Sequence, residues 1–110
     1  MLSKKDLINA NRKFHTGKIA NESSLDFALA NARKTKDWLK AAAFLVRAIL
    51  IDHAFEDGNK RTAAAVIMAY LEMNNFHYNP DRVSRIVIQM LKKNITDGRK
   101  IERMIQNVIE

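Results

Sequence analysis

Five polar side chains and one glycine that together could handle a phosphate fall within a short stretch of this 110-residue chain: His53, Asp57, Gly58, Asn59, Lys60 and Arg61. A histidine titrates near neutrality and can take the proton of an attacking hydroxyl. A carboxylate such as Asp57 can share Mg²⁺ with phosphate oxygens and waters. Gly58 lets a phosphate approach the backbone and reaches positive φ without steric cost. Lys60 and Arg61 add two cations. If a helix begins at Asn59, its free N–H groups and positive dipole end add a further anion site. Phosphoryl transfer depends mainly on positioning and charge neutralisation, so this small set suffices for it. Within the same stretch, Phe55 is expected to peg the turn to the core and Glu56 to face solvent.

The flanking residues must hold this segment in place, and their periodicity is helical throughout. A first helix is expected from Ser3 to about Phe14, with Leu7 and Ile8 inward and Gly17 as its C-terminal cap. A short second helix is expected to start at Ser24. The third, from Thr35 or Lys36 to near His53, is apolar around most of its circumference, which predicts a central position. The fourth runs from Asn59 to about Asn74. Alanines at 41–43 and 63–65 allow the third and fourth helices to pack closely. Asn79-Pro80-Asp81 opens a fifth helix, with a capping amide and proline at its first position. Thr96-Asp97-Gly98 ends it, and Ile101, Met104, Ile105, Val108 and Ile109 form the apolar stripe of a sixth. The predicted architecture is all-α, a single compact bundle of about six helices spanning residues 1–110.

Composition narrows the functional classes. Nearly half the residues (47%) are hydrophobic, which points to an ordered core and away from disorder. Cysteine is absent, so disulfides, thiolate metal sites and a thiol nucleophile are excluded. No apolar run approaches the length of a membrane span, and the N-terminal residues turn polar at once, which makes the cytoplasm the expected compartment. The net charge of +7 favours anionic partners, but the cations are spread over several faces. Arg47, inside an apolar run, is expected to reach a carboxylate or helix carbonyl. His15 and His77 are expected at the surface or in capping roles, and Trp38, Tyr70, Phe76 and Tyr78 in packing.

The segment resembles the signature of the Fic/Doc family, H-P-F-x-[D/E]-G-N-[G/K]-R, with matches at His53, Phe55, Asp57, Gly58, Asn59, Lys60 and Arg61. Seven constrained positions in nine make a specific match. The helix order is similar to that of the small Doc ("death on curing") toxins, most securely from Lys36 to Asn75. The resemblance implies an ATP- and Mg²⁺-dependent transferase acting on a hydroxyl side chain of a target protein. Its motif histidine activates that hydroxyl, its acidic residue holds Mg²⁺, and its asparagine, arginine and loop amides bind phosphates. Carried over, these become His53, Asp57, Asn59, Arg61 and the amides after Asp57.

Three departures refine the expectation. Ala54 replaces the usual proline, which Doc-like members tolerate. Lys60 stands where adenylylating Fic enzymes usually have glycine. Ala64 replaces their second arginine, which contacts the terminal phosphate of ATP. The last two are similar to Doc, whose members bind ATP in reversed orientation and pass on the γ-phosphate, as kinases do. The inhibitory [S/T]-x-x-x-E-[G/N] pattern of many Fic enzymes is not met at Glu22, Glu56, Glu72 or Glu102, so the resemblance implies restraint in trans by a separate antitoxin protein. The polar stretch Thr16 to Ser23 is the expected flap for aligning a target segment, with a translation elongation factor as the target suggested by Doc. Two alternatives remain: AMP transfer, or a non-enzymatic basic helical protein contacting nucleic acid through Arg82, Arg85, Lys92, Lys93, Arg99, Lys100 and Arg103.

Overall fold

A computed structural model describes residues 1–110 as six helices: α1 (Lys4–Arg12), α2 (Glu22–Lys34), α3 (Trp38–Leu50), α4 (Asn59–Met73), α5 (Pro80–Lys92) and α6 (Gly98–Gln106). There is no sheet; two isolated antiparallel bridges, Ile19 with Phe55 and Tyr78 with Ile109, are the only extended pairings. The all-α bundle expected from periodicity is therefore observed. No helix is long and apolar enough to cross a membrane.

α3 is the central rod. Nine of its thirteen residues are buried, including Ala42, Leu45, Val46 and Ile49, and it packs on α2, α4 and α6. Burial on this scale follows from a helix apolar on nearly every side, since each buried Leu or Ile removed from water contributes about 1.5–3 kcal/mol. Ala42 and Ala63 are fully buried on the facing helices α3 and α4, where methyl side chains let the two axes approach. α4 also contacts α1 and α5, so the segment joining α3 to α4 lies between the C-terminal end of α1 and the flank of α5.

Caps set the helix boundaries, and several differ from expectation. α1 begins with a reciprocal capping box in which Ser3 Oγ accepts from the Asp6 N–H and Asp6 Oδ2 accepts from the Ser3 N–H. Its C-cap is Lys13; Gly17 lies beyond it, with φ of 76°, and donates its N–H to Asn11 Oδ1. α2 starts at Glu22 because Asn21, not Ser24, caps it, accepting from the Ser24 N–H. It is also not short, running thirteen residues. α3 starts only at Trp38, because Asp37 Oδ1 accepts the Leu39 and Lys40 amides. It ends at Leu50, short of His53. Asn79 and Pro80 open α5 as expected. Arg47 is a correction: it is exposed on α3 and makes no ion pair or side-chain hydrogen bond, so its charge stays hydrated on the solvent side.

Candidate functional site

Between α3 and α4 the chain makes two left-handed residues, His53 with φ of 51° and Gly58 with φ of 74°. For glycine this is free of cost. For histidine it costs about 1–2 kcal/mol, which the surrounding contacts must supply. The backbone of residues 54–56 pairs with the segment before α2: Ala54 accepts from the Ala20 and Asn21 N–H groups, and the Glu56 N–H donates to Lys18. The expected flap is thus tied by hydrogen bonds to the loop. It spans Lys13 to Asn21, since Glu22 and Ser23 already belong to α2.

Three asparagines hold the loop by its main chain. Asn21 donates to the Asp52 carbonyl, and Ser24 Oγ donates to Asp52 Oδ2, which fixes the turn carrying His53 from the start of α2. Asn59 Oδ1 accepts from the Phe55 N–H while its Nδ2 donates to the Phe55 carbonyl, at 3.0 and 2.9 Å. Asn11, on α1, donates to the Asp57 carbonyl at 2.8 Å. Phe55 itself is 1% exposed and seats the loop on the core. In this arrangement the Asn59 amide closes the loop, and the anion-facing groups are the backbone amides beside it.

Those amides are free because of how α4 starts. Each of the other five helices has a Ser, Asn or Asp side chain capping its first turn; α4 has Gly58 and no side-chain cap. The N–H groups of Asn59, Lys60 and Arg61 meet no acceptor in the protein, and that of Gly58 meets only the Asp57 carboxylate of its own loop, at 2.8 Å. Unsatisfied first-turn donors with the positive end of a fifteen-residue helix behind them favour an anion.

The amides open into a groove of about 900 Å³. His53, Asp57, Gly58, Asn59, Lys60 and Arg61 all line it, so the structure brings together the residues singled out in the sequence. His53 is exposed, and its imidazole makes no hydrogen bond within the protein, leaving both ring nitrogens available. Asp57 is 80% exposed at the side chain. Glu56 is exposed as expected, though it borders the groove. The Arg61 guanidinium lies 5.1 Å from the Phe14 ring centroid, a cation–π contact that steadies it over the opening. Away from the loop the lining turns apolar, through Ala64, Met68, Val87, Ile88 and Leu91 of α4 and α5.

Sequence reasoning missed the contribution of α1 and of the turn that follows it. His15 is not merely a surface or capping residue: its Nδ1 lies 3.5 Å from Asp57 Oδ2, and its ring covers Gly58. A Cβ on Gly58 would collide with that ring, 2.6 Å from Nε2 and 2.8 Å from Cγ. No spacing rule links His15 to Asp57; the return of the chain alone joins them. The cations Arg82, Arg85, Lys92, Lys93, Arg99, Lys100 and Arg103 are all exposed on or beside α5 and α6, away from the loop, and Arg82 donates to the Asn107 carbonyl at the end of α6.

The geometry can therefore hold an extended anion, shield it with Lys60 and Arg61, and present a free imidazole beside it. A resident metal is not supported, because no three His, Asp or Glu side chains converge. The single exposed carboxylate of Asp57 could share a Mg²⁺ that a phosphate ligand brought with it.

A model of the Fic/DOC family matches residues 4–71, more than half of the chain, from the first turn of α1 almost to the end of α4. No curated protein and no solved structure gives a match.

Proposed function

The chain belongs to the Fic/DOC family, whose members modify proteins by transfer from a nucleotide, and from that premise we propose that this protein is a Doc-like phosphotransferase moving the γ-phosphate of ATP to a hydroxyl of a target protein. His53 is the general base in this reading. The Gly58 to Arg61 amides, with Lys60 and Arg61, bind the phosphates. Asp57 would share a Mg²⁺ brought by the nucleotide, which would supply charge neutralisation for the transferred group. Lys13 to Asn21, part of which pairs with the loop, is the stretch along which a target segment would lie.

One observation carries the choice of the γ-phosphate. The groove has a cationic end at the loop and an apolar end between α4 and α5, and Ala64, where adenylylating relatives have a second arginine, faces the apolar end at 8% exposure. A triphosphate tail directed past Ala64 would run over the apolar Met68, Ile88 and Leu91 with no cation to compensate its charge. The reverse orientation leaves the terminal phosphate at the amides and Lys60 and lays the apolar face of the nucleoside on these side chains. The test is transfer from ATP labelled at the α or the γ position to proteins of a cell lysate. Label arriving from the γ position supports the reading; label retained from the α position would replace it with AMP transfer. A separate antitoxin, acting in trans, is part of the same proposal, since no Ser or Thr stands four residues before Glu22, Glu56, Glu72 or Glu102.

A further inference from the structure

The buried side chain of Asn11 does something that no motif assigns to it. It is 1% exposed, and all but one of its hydrogen-bonding positions are used. Nδ2 donates to the Asp57 carbonyl at 2.8 Å and to Thr62 Oγ1 at 3.0 Å, and Oδ1 accepts from the Gly17 N–H at 2.9 Å. Thr62, also 1% exposed, donates its single hydroxyl proton to the Gly58 carbonyl at 2.9 Å. That proton direction obliges the hydroxyl to accept from Asn11. The amide orientation is then over-determined, because a flipped amide would set its oxygen against the Asp57 carbonyl oxygen.

These bonds reach the groove through the geometry of the peptide unit. There is no cis peptide, so in every unit the C=O and the following N–H point in opposite directions. Drawing the Asp57 carbonyl inward to Asn11 turns the Gly58 N–H outward, where the Asp57 carboxylate accepts it at 2.8 Å. Drawing the Gly58 carbonyl inward to Thr62, whose backbone N–H at 3.0 Å and hydroxyl at 2.9 Å both donate to it, turns the Asn59 N–H outward. The donors that face the anion are thus aimed from behind by two buried side chains on two helices. Asn11 also holds Gly17, at the base of the segment that pairs with Ala54 and Glu56.

We infer that Asn11, through Thr62, is a positioning residue for the phosphate-binding amides and couples them to the base of the flap. This inference rests on the proposed nucleotide site. A polar residue buried on the inner face of α1, one turn from the fully buried Leu7, is costly to keep unless each of its bonds is needed.

The test uses four variants of the full chain: Asn11→Leu, Thr62→Val, Thr62→Ser and Arg61→Ala. Circular dichroism first establishes which are folded, and calorimetric titration with Mg²⁺-ATP then gives affinity. The expected result is binding weakened about tenfold or more in Asn11→Leu and Thr62→Val below their melting temperatures, with recovery in Thr62→Ser, which keeps the hydroxyl. In ¹⁵N spectra the Gly58 and Asn59 amide resonances are expected to shift in both weakened variants while those of α6 stay in place. If Asn11→Leu fails to fold, Thr62→Val and Thr62→Ser carry the comparison. Wild-type affinity in Thr62→Val, with Arg61→Ala weakened, would overturn the inference and leave the nucleotide site standing. Absence of Mg²⁺-ATP binding by the wild-type chain would overturn both together.

Discussion

Replacing Gly58 by alanine tests the loop geometry most sharply, because two separable costs meet there. The left-handed φ of 74° costs a non-glycine residue about 1–2 kcal/mol. The new Cβ also meets the His15 ring, which must swing out and leave its place beside Asp57, at a further cost of about 1 kcal/mol for lost packing and a weak partly exposed pair. Against this, alanine restricts the unfolded chain and returns about 0.4–1 kcal/mol. The net loss is about 1–2.5 kcal/mol, and at roughly 4 °C per kcal/mol for a domain of this size the melting temperature should fall by about 4–10 °C. The collision and the backbone strain are separated by a double-mutant cycle with His15→Ala. In that background the ring is gone, so Gly58→Ala should cost about 1 kcal/mol less than in the wild type, and no more than about 1.5 kcal/mol. Thermal melts of the four proteins give both numbers. Identical losses in the two backgrounds would refute the placement of His15 over Gly58, and no loss in either would refute the left-handed turn.

Further outcomes follow from the same contacts. Arg61→Ala should weaken Mg²⁺-ATP binding by roughly 10- to 100-fold, the worth of a charged hydrogen bond to phosphate, and an unchanged calorimetric affinity would contradict its role. At the left-handed His53, valine should be less stable than asparagine by about 1–2 kcal/mol, because a branched Cβ is penalised there and asparagine is tolerated; equal melting temperatures would argue against that backbone conformation. Tyr78 donates to Glu72, which pushes its phenol up to about 12, and burial raises Tyr70 as well. A raised phenol stabilises the fold while protonated, so this contribution is present below the ordinary value of 10 and is lost as pH rises from there through about 12. Ultraviolet titration of the two tyrosines should therefore begin late in the folded chain, and Glu72→Gln should bring Tyr78 back toward ordinary behaviour; a midpoint at 10 in the native chain would contradict this.

How much of this was legible in the sequence differs from element to element. The six helices were, because their apolar stripes are long and α3 is apolar on nearly all sides, a pattern only a central rod satisfies. Helix starts were less so. Asn21 and Ser24 are both good caps; Asn21 takes the capping position, while the Ser24 hydroxyl donates to Asp52, a contact between distant segments. Arg47 misled because an apolar neighbourhood in sequence is not one in space; its own face of α3 is open to solvent. Within the site, the residues of positions 53–61 were readable, because they are consecutive and chemically dense. Asn11, Asn21 and His15 were not. Their roles arise where α1 and the segment before α2 return to the loop, and the one available signal was a polar residue at a buried position one turn after Leu7.

The central claim is that a loop between α3 and α4 presents the terminal phosphate of a nucleotide to a hydroxyl under the imidazole of His53. Its most direct test is a side-by-side incubation of the wild-type chain and His53→Ala with γ-labelled ATP, Mg²⁺ and lysate protein. The account expects a labelled protein band with the wild type and a loss of about 10²- to 10⁴-fold in the variant, with Mg²⁺-ATP binding retained. Equal labelling by both chains would contradict it.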